Sequence, residues 1–251
     1  MIIHSYENGR RSDACAQYVK GLSYPEGVDE MFLLPIPSTR DNKTILGTNI
    51  VMSSLMELLD SSTIVVGYSL PTEFKSAATE AGCYVHDVSE DEEFLCENAE
   101  LTAEATLGIL LNTAGCSPAD LRVGIVGYGR IGQRLARLLM CLGSRVRVYS
   151  SDAGKRLDLG EWGITTALSA RDADLADLDV LVNTAPAVIF DTSALPEELR
   201  VIDLASGDNF PGLASVEKYP SIPARMLPLS AGVAWGRSIE RFVKGLHNGL
   251  N

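Results

Sequence analysis

Val123-Gly124-Ile125-Val126 is an apolar run that enters Gly127-Tyr128-Gly129-Arg130-Ile131-Gly132, and no other stretch of the chain constrains the fold so tightly. A strand that passes through a Gly-x-Gly-x-x-Gly turn into a helix gives each glycine its own task. Gly127 permits the tight turn, Gly129 lets the backbone approach a pyrophosphate, and Gly132 lets the helix pack close to the strand. The helix N-terminus adds free N–H groups and a positive dipole end, both suited to phosphate. Beyond Gly132, Leu135, Leu138, Leu139 and Leu142 recur at helical spacing, with Arg130, Arg134 and Arg137 between them. Gly143 ends this helix, and Arg145-Val146-Arg147-Val148-Tyr149 reads as the next strand. The pattern is a complete βαβ unit and predicts a Rossmann dinucleotide-binding domain. The alternative is a scaffold that keeps the turn for packing and binds nothing.

An NAD site places Asp or Glu at the end of the second strand, where it accepts from the ribose 2′-OH. Here that position is Ser150, followed by Ser151 and Asp152, with Lys155 and Arg156 just beyond. Two hydroxyls with nearby cations suit a 2′-phosphate through charge-assisted hydrogen bonds. NADP is therefore the favoured cofactor. NAD is the alternative, because a small backbone shift would bring Asp152 to the ribose.

Composition fits a globular enzyme of the cytoplasm. Of 251 residues, 46% are hydrophobic and 22% charged, which is ordinary globular usage. The net charge of −12 argues against nucleic acid and against an anionic membrane surface. No apolar run is long enough to span a membrane, and Met1-Ile2-Ile3-His4-Ser5 starts as a strand without a signal peptide. Cys15, Cys83, Cys96, Cys116 and Cys141 are odd in number and unclustered, so reduced, mostly buried thiols are expected and no metal site.

The early part of the chain alternates strand and helix signals. Apolar runs at Ile2–Ile3, Met31–Leu34, Thr63–Gly67 and Cys83–Val85 are separated by helix-like stretches near Asp13–Leu22, Thr48–Leu59 and Thr72–Ala81. This predicts an α/β fold of two domains. Residues 1–115 form a flavodoxin-like parallel sheet with helices on both faces, closing with a bridging helix over Ala99–Thr113. Residues 116–232 form the Rossmann domain, with further strands near Val180–Val182, Val201–Leu204 and Met226–Leu227. The amphipathic stretch Trp235–Leu250, within 233–251, packs back on the first domain.

Ligands of open parallel sheets sit beyond the carboxyl ends of the strands. Pro35-Ile36-Pro37-Ser38-Thr39-Arg40-Asp41, Glu97 through Glu104, Asn183-Thr184-Ala185-Pro186 and Asp203-Leu204-Ala205-Ser206-Gly207 are expected there, facing one interdomain cleft. A guanidinium on a turn suits bidentate capture of a carboxylate, so Arg40 is the candidate substrate clamp, against a plain salt bridge to Asp41. Ser38, Thr39, Asn98 and Thr102 are its candidate companions, although Asn98 and Thr102 also read as a simple N-terminal helix turn. Asp203 is the candidate proton acceptor, against a structural role at a strand end. Asn183, Thr184, Pro186 and Leu204 join the glycine turn as cofactor candidates. His4, His86 and His247 read as structural, and no Arg–Glu–His, Ser–His–Asp or metal set is visible.

Several segments in order resemble the family of dipicolinate synthase A subunits. They are Leu33-Leu34-Pro35-Ile36-Pro37-Ser38, Asn98-Ala99 with Thr102-Ala103-Glu104, the Gly127–Gly132 turn, Asp179 through Pro186, Ile202-Asp203-Leu204-Ala205-Ser206 and Ser230-Ala231-Gly232. The resemblance implies NAD(P)-linked oxidation of a dihydrodipicolinate-type dicarboxylate in spore formation, and the partner it implies is a flavoprotein-like B subunit. A homo-oligomer is expected. The sequence departs from the family after Ser206, where Gly207-Asp208-Asn209-Phe210-Pro211-Gly212 replaces an Arg-Pro-Gly-Gly-type loop, and around Pro228-Leu229-Ser230-Ala231-Gly232-Val233-Ala234. A non-catalytic dinucleotide-binding regulatory or scaffold subunit is the alternative. A 2-hydroxyacid dehydrogenase relationship is disfavoured by the missing catalytic histidine and glutamate.

Overall fold

The computed structural model describes residues 1–150, 152, 154, 165–167, 175–188 and 192–249. The chain forms two compact units: Met1–Asn98 with Leu227–Asn251, and Ala99–Met226. The α/β class with two parallel sheets is as expected.

The first unit holds a parallel sheet of β1 (Ile2–Ser5), β2 (Glu30–Leu33), β3 (Thr63–Gly67) and β4 (Tyr84–Asp87), in the order β1-β2-β3-β4. Every residue of β3 is buried, as a strand covered on both faces requires. Strand alternation sends Met31, Leu33, Ile64 and Val66 to one face, and Phe32 and Val65 to the other. The first face packs on α1 (Arg10–Val19), on Phe94 of α3 (Glu92–Thr113) and on Trp235, Ile239 and Val243 of α6 (Pro228–His247). The second packs on α2 (Thr72–Glu80) and on a 3₁₀ segment, Met52–Leu58.

That 3₁₀ segment stands where an α-helix over Thr48–Leu59 was expected. The Thr48 hydroxyl donates to Ile45 O and accepts from Ile50 N, so local turn chemistry takes the backbone groups that a helix start would need. The C-terminal helix does pack on α1, but it begins at Pro228 rather than Trp235. Proline at its first position is pre-set for helix.

In the second unit, β5 (Arg122–Val126), β6 (Arg145–Tyr149), β7 (Thr165–Ala167), β8 (Val180–Asn183), β9 (Arg200–Asp203) and β10 (Glu217–Lys218) form a parallel sheet ordered β10-β9-β8-β5-β6-β7. The order reverses between β5 and β8, which creates a switch point at their carboxyl ends. The glycine turn leads from β5 into α4 (Arg130–Cys141), whose Leu135, Ala136 and Leu139 are buried. The expected strand at Met226–Leu227 is instead the junction of α5 (Ile222–Met226) with α6, and the outer strand is β10.

The helix α3 starts at Glu92, seven residues before the expected Ala99. Asp91 Oδ1 accepts from Phe94 N at 3.1 Å, and Glu92 and Glu93 complement the dipole of the first turn. The division between units falls within this helix, at Asn98/Ala99, and not at the Gly115 turn. Among the described residues, no helix is long and apolar enough to cross a membrane, and no cluster of side chains could hold a metal. All five cysteines are free. Cys15 and Cys83 are buried, whereas Cys116 and Cys141 are exposed, against the expectation of mostly buried thiols.

Candidate dinucleotide-binding site

The register of the second sheet puts Val126 opposite both Tyr149 and Asn183, and Asn183 opposite Asp203. Four strand ends therefore make one row, and the residues that follow them lie at the same carboxyl edge. These are the Gly127 turn, Ser150, Thr184-Ala185-Pro186 and Leu204-Ala205-Ser206.

The glycines of the turn separate by cause. Gly127 has φ of +88°, and a Cβ there would meet Thr184 Oγ1 at 2.9 Å and Ala185 Cβ at 3.2 Å. A Cβ on Gly132 would collide with the Gly127 carbonyl. Both are glycine because protein atoms crowd them. Gly129 differs: its φ of −83° suits any residue, and a Cβ there would meet nothing within 4 Å. Its side chain is missing at a place open to solvent, at the cap of α4, where a phosphate would approach the backbone. Arg130 is exposed in the first turn of α4, and Ile131 beside it is half-buried.

Around the turn the edge is heavily hydrogen-bonded. The Thr184 hydroxyl donates to Val126 O at 2.8 Å. Asn183 is 1% exposed, and its amide donates to Asp203 Oδ1 at 2.8 Å and to Ala185 O at 3.0 Å. Asp203 also accepts from Ala205 N at 3.1 Å and from Asn209 Nδ2. Buried to 2% exposure and engaged on both oxygens, Asp203 is not placed as a proton acceptor. Leu204 is half-buried with its N–H on Asn183 O, and Pro186 is exposed. Ser150 is buried at the end of β6, its hydroxyl accepting from Asp152 N at 3.3 Å. Ser151, Lys155 and Arg156 lie outside the described residues.

The substrate-side candidates of the first unit follow β2. Ser38 is fully buried; its hydroxyl donates to Pro35 O and accepts from Tyr68 N at 2.8 Å, so it braces two strand ends. Thr39 donates to Asp41 Oδ1 at 2.9 Å. Asp41 also accepts from Thr44 N and Lys43 N, and these bonds hold its carboxyl well below the usual range. Asp41 is thus committed to its own turn. Arg40 is exposed and forms no ion pair among the described residues, so the expected alternative of a bridge to Asp41 is not realised. Asn98 and Thr102 lie well inside α3, not in its first turn, with Asn98 half-buried and Thr102 buried.

The dipicolinate synthase A subunit of Bacillus subtilis (strain 168) is 24% identical over 146 residues, covering 54% of this chain and 49% of that one. The match thus spans about half the length of this relative. The crystal structure of the dipicolinate synthase A subunit from Bacillus halodurans superposes with a TM-score of 0.75 at 19% identity over 96% of each chain.

The chain resembles the dipicolinate synthase A subunit.

The structure of the dipicolinate synthase A chain from Bacillus subtilis is similar too, with a TM-score of 0.74 at 16% identity over 99% of this chain and 96% of that one. Residues 97–189 match the NAD binding domain of D-isomer specific 2-hydroxyacid dehydrogenase. That range contains the glycine turn, Ser150 and Asn183 through Pro186, so this region is similar to an NAD-binding domain of the oxidoreductase type. The expectation against a 2-hydroxyacid dehydrogenase relationship did not anticipate that similarity. It rested on a missing catalytic set, which the strand–turn–helix unit does not encode.

Sequence reasoning missed Asn209, at the point where the chain departs from the dipicolinate synthase pattern. It is 4% exposed, and its amide donates to Asp203 Oδ2 at 3.1 Å and to Ser206 O at 3.2 Å. The available signal was the two-residue step from Gly207, at φ of +98°, to a side chain able to reach back.

Proposed function

We propose that the protein is an NAD(P)-dependent oxidoreductase for a small carboxylate, with a dihydrodipicolinate-type dicarboxylate as the leading substrate. The observation that carries this reading is Gly129, a glycine that no protein atom requires, at the cap of α4 beside the switch point. The resemblance to the dipicolinate synthase A subunit supports a substrate of that class, and a role in spore formation is part of the same proposal.

The bound nicotinamide would accept hydride from the substrate. Gly129, Arg130 and Ile131 would hold the pyrophosphate on a turn shaped by Gly127 and Gly132, and Thr184 and Pro186 border that turn. Ser150 supports NADP, since it offers a hydroxyl where a carboxylate would repel a 2′-phosphate. Arg40 holds a substrate carboxylate, with Thr39 setting its turn through Asp41. The proton released with that hydride would pass to water. Aromatisation of the ring supplies the driving force, so no elaborate acid–base set is needed. A flavoprotein-like B subunit is the partner that this reading implies.

The second reading, a non-catalytic dinucleotide-binding subunit, is favoured by the departure at Gly207–Gly212. Purified protein mixed with NADP or NAD and dihydrodipicolinate separates the two. Appearance of reduced nicotinamide supports the enzyme, and dinucleotide binding without turnover supports the second reading.

A further inference from the structure

We infer that Asp203 is a positioning residue, which acts through Asn183 to hold Thr184-Ala185 against the Gly127 turn and so sets dinucleotide affinity without touching the cofactor. This rests on the dinucleotide reading proposed above.

An asparagine amide can be turned either way round, and its neighbours decide which. The Asn183 Oδ1 accepts from Ala185 N at 3.1 Å, while its Nδ2 donates to Ala185 O at 3.0 Å. The side chain thus closes on both backbone groups of a residue two positions on. A flip of the amide would break both of these bonds. Asp203 locks the same orientation from outside the loop: a carboxylate oxygen 2.8 Å from Nδ2 only accepts, so it demands the N–H side. Asn209 and Ala205 N hold that carboxylate from the far side.

The fixed loop presses on the turn. Thr184 N and Oγ1 both donate to Val126 O, and Ala185 N and Cβ lie 3.4 Å and 3.2 Å from where a Gly127 Cβ would stand. Gly127 in turn sits under Gly132, whose own Cβ position overlaps the Gly127 carbonyl. The chain of contact runs from Asp203 through Asn183 and Ala185 to the peptide units that precede the α4 cap. A carboxylate buried to 2% exposure is costly unless its hydrogen bonds are complete, and here they are.

The test is calorimetric titration with NADP and with NAD of wild type, Asp203→Asn, Asn183→Ala, the pair Asn183→Ala with Asp203→Asn, and Asp179→Asn. Asp179 pairs with Arg122 at the opposite, amino-terminal edge of the same sheet and serves as the stability control. Asp203→Asn presents N–H to N–H in one amide setting and is expected to weaken binding about tenfold, the effect of losing one charge-assisted hydrogen bond. Asn183→Ala is expected to weaken binding at least as much, and adding Asp203→Asn to it weakens binding by no more than about twofold further, because Asp203 acts through Asn183. Asp179→Asn lowers melting temperature but leaves affinity unchanged. Equal affinity in wild type and Asp203→Asn overturns the inference, as does equal weakening in Asp179→Asn. Fully additive weakening in the pair overturns it too, and if Asp203→Asn does not fold, Asn183→Ala decides: affinity equal to wild type overturns the inference. Wild type that binds neither dinucleotide instead overturns the reading beneath it.

Discussion

The Thr184 hydroxyl donates to the Val126 carbonyl at 2.8 Å, tying the ends of β8 and β5 together where the strand order of the sheet reverses. The glycine turn starts one residue after Val126, so its position is held from the β8 side as well as by its own helix. Packing and ligand approach are therefore divided among different glycines, and substitution separates them.

Gly132→Ala is expected to destabilise the protein by about 1–3 kcal/mol, because the new methyl meets backbone that has no room to move. Gly129→Ala is expected to change stability by less than about 0.5 kcal/mol, since its Cβ enters open space. Yet it weakens dinucleotide binding at least tenfold. Denaturant unfolding and calorimetry on the two variants check this pair of opposite outcomes.

Helix α6 depends on two glycines to approach α1. A Cβ on Gly236 would stand 2.6 Å from Tyr18 Cδ1, and the ring cannot swing freely because its hydroxyl donates to Glu240 Oε2 at 2.6 Å. On Gly232 a Cβ would meet Ala14 Cβ at 2.6 Å. Alanine at either position is expected to cost about 1–3 kcal/mol in thermal or denaturant unfolding, without altering dinucleotide affinity.

His86 stacks on Phe242 with ring centroids 4.6 Å apart, and its Nε2 lies 2.8 Å from the Ser238 hydroxyl, which donates to Asp91 at 2.6 Å. Burial pushes its pKa down to about 4, against the pull of Asp91, Asp87 and Glu90 toward the charged form. The folded state thus holds His86 neutral where the unfolded chain would protonate it. Its contribution is fully present above about pH 6.5 and is lost as pH falls from there through 4, by about 3 kcal/mol. Stability measured against pH in wild type and His86→Gln should differ in slope within that window, with the slope reduced in the variant. Parallel curves contradict the assignment.

Arg40 is exposed and has no ionic partner to lose among the described residues, so Arg40→Ala leaves stability within about 0.5 kcal/mol. If it holds a substrate carboxylate, KM for the dicarboxylate rises about 10–100-fold while dinucleotide affinity stays the same. Steady-state kinetics alongside calorimetry measure both.

The β5–α4–β6 unit was legible because its apolar periods are clean and because Gly127 and Gly132 are forced by local geometry. The β3 run, Thr63–Gly67, was legible to the residue for the same reason: a strand buried on both faces is a continuous apolar block. The 3₁₀ segment was not, since Met52, Leu55 and Leu59 recur at helical spacing and the decision falls to the Thr48 hydroxyl. The early start of α3 depends on an Asp91 cap in a stretch whose acidic residues read equally as loop. At the site, Ser38 was placed by its position after a strand, but its buried role depends on Tyr68, thirty residues away. Asp203 was found by its strand end with two roles open, because its partner Asn183 becomes a neighbour only in the parallel sheet and Asn209 reaches it only through the turn at Gly207.

The most direct test of the central claim is titration of the purified wild-type protein with NADP and NAD, repeated on Ser150→Asp. One-site binding is expected, tighter for NADP, with the preference reversed by Ser150→Asp and the affinity abolished or weakened at least tenfold by Gly129→Ala. No binding of either dinucleotide would contradict it, leaving the glycine turn as a packing device alone.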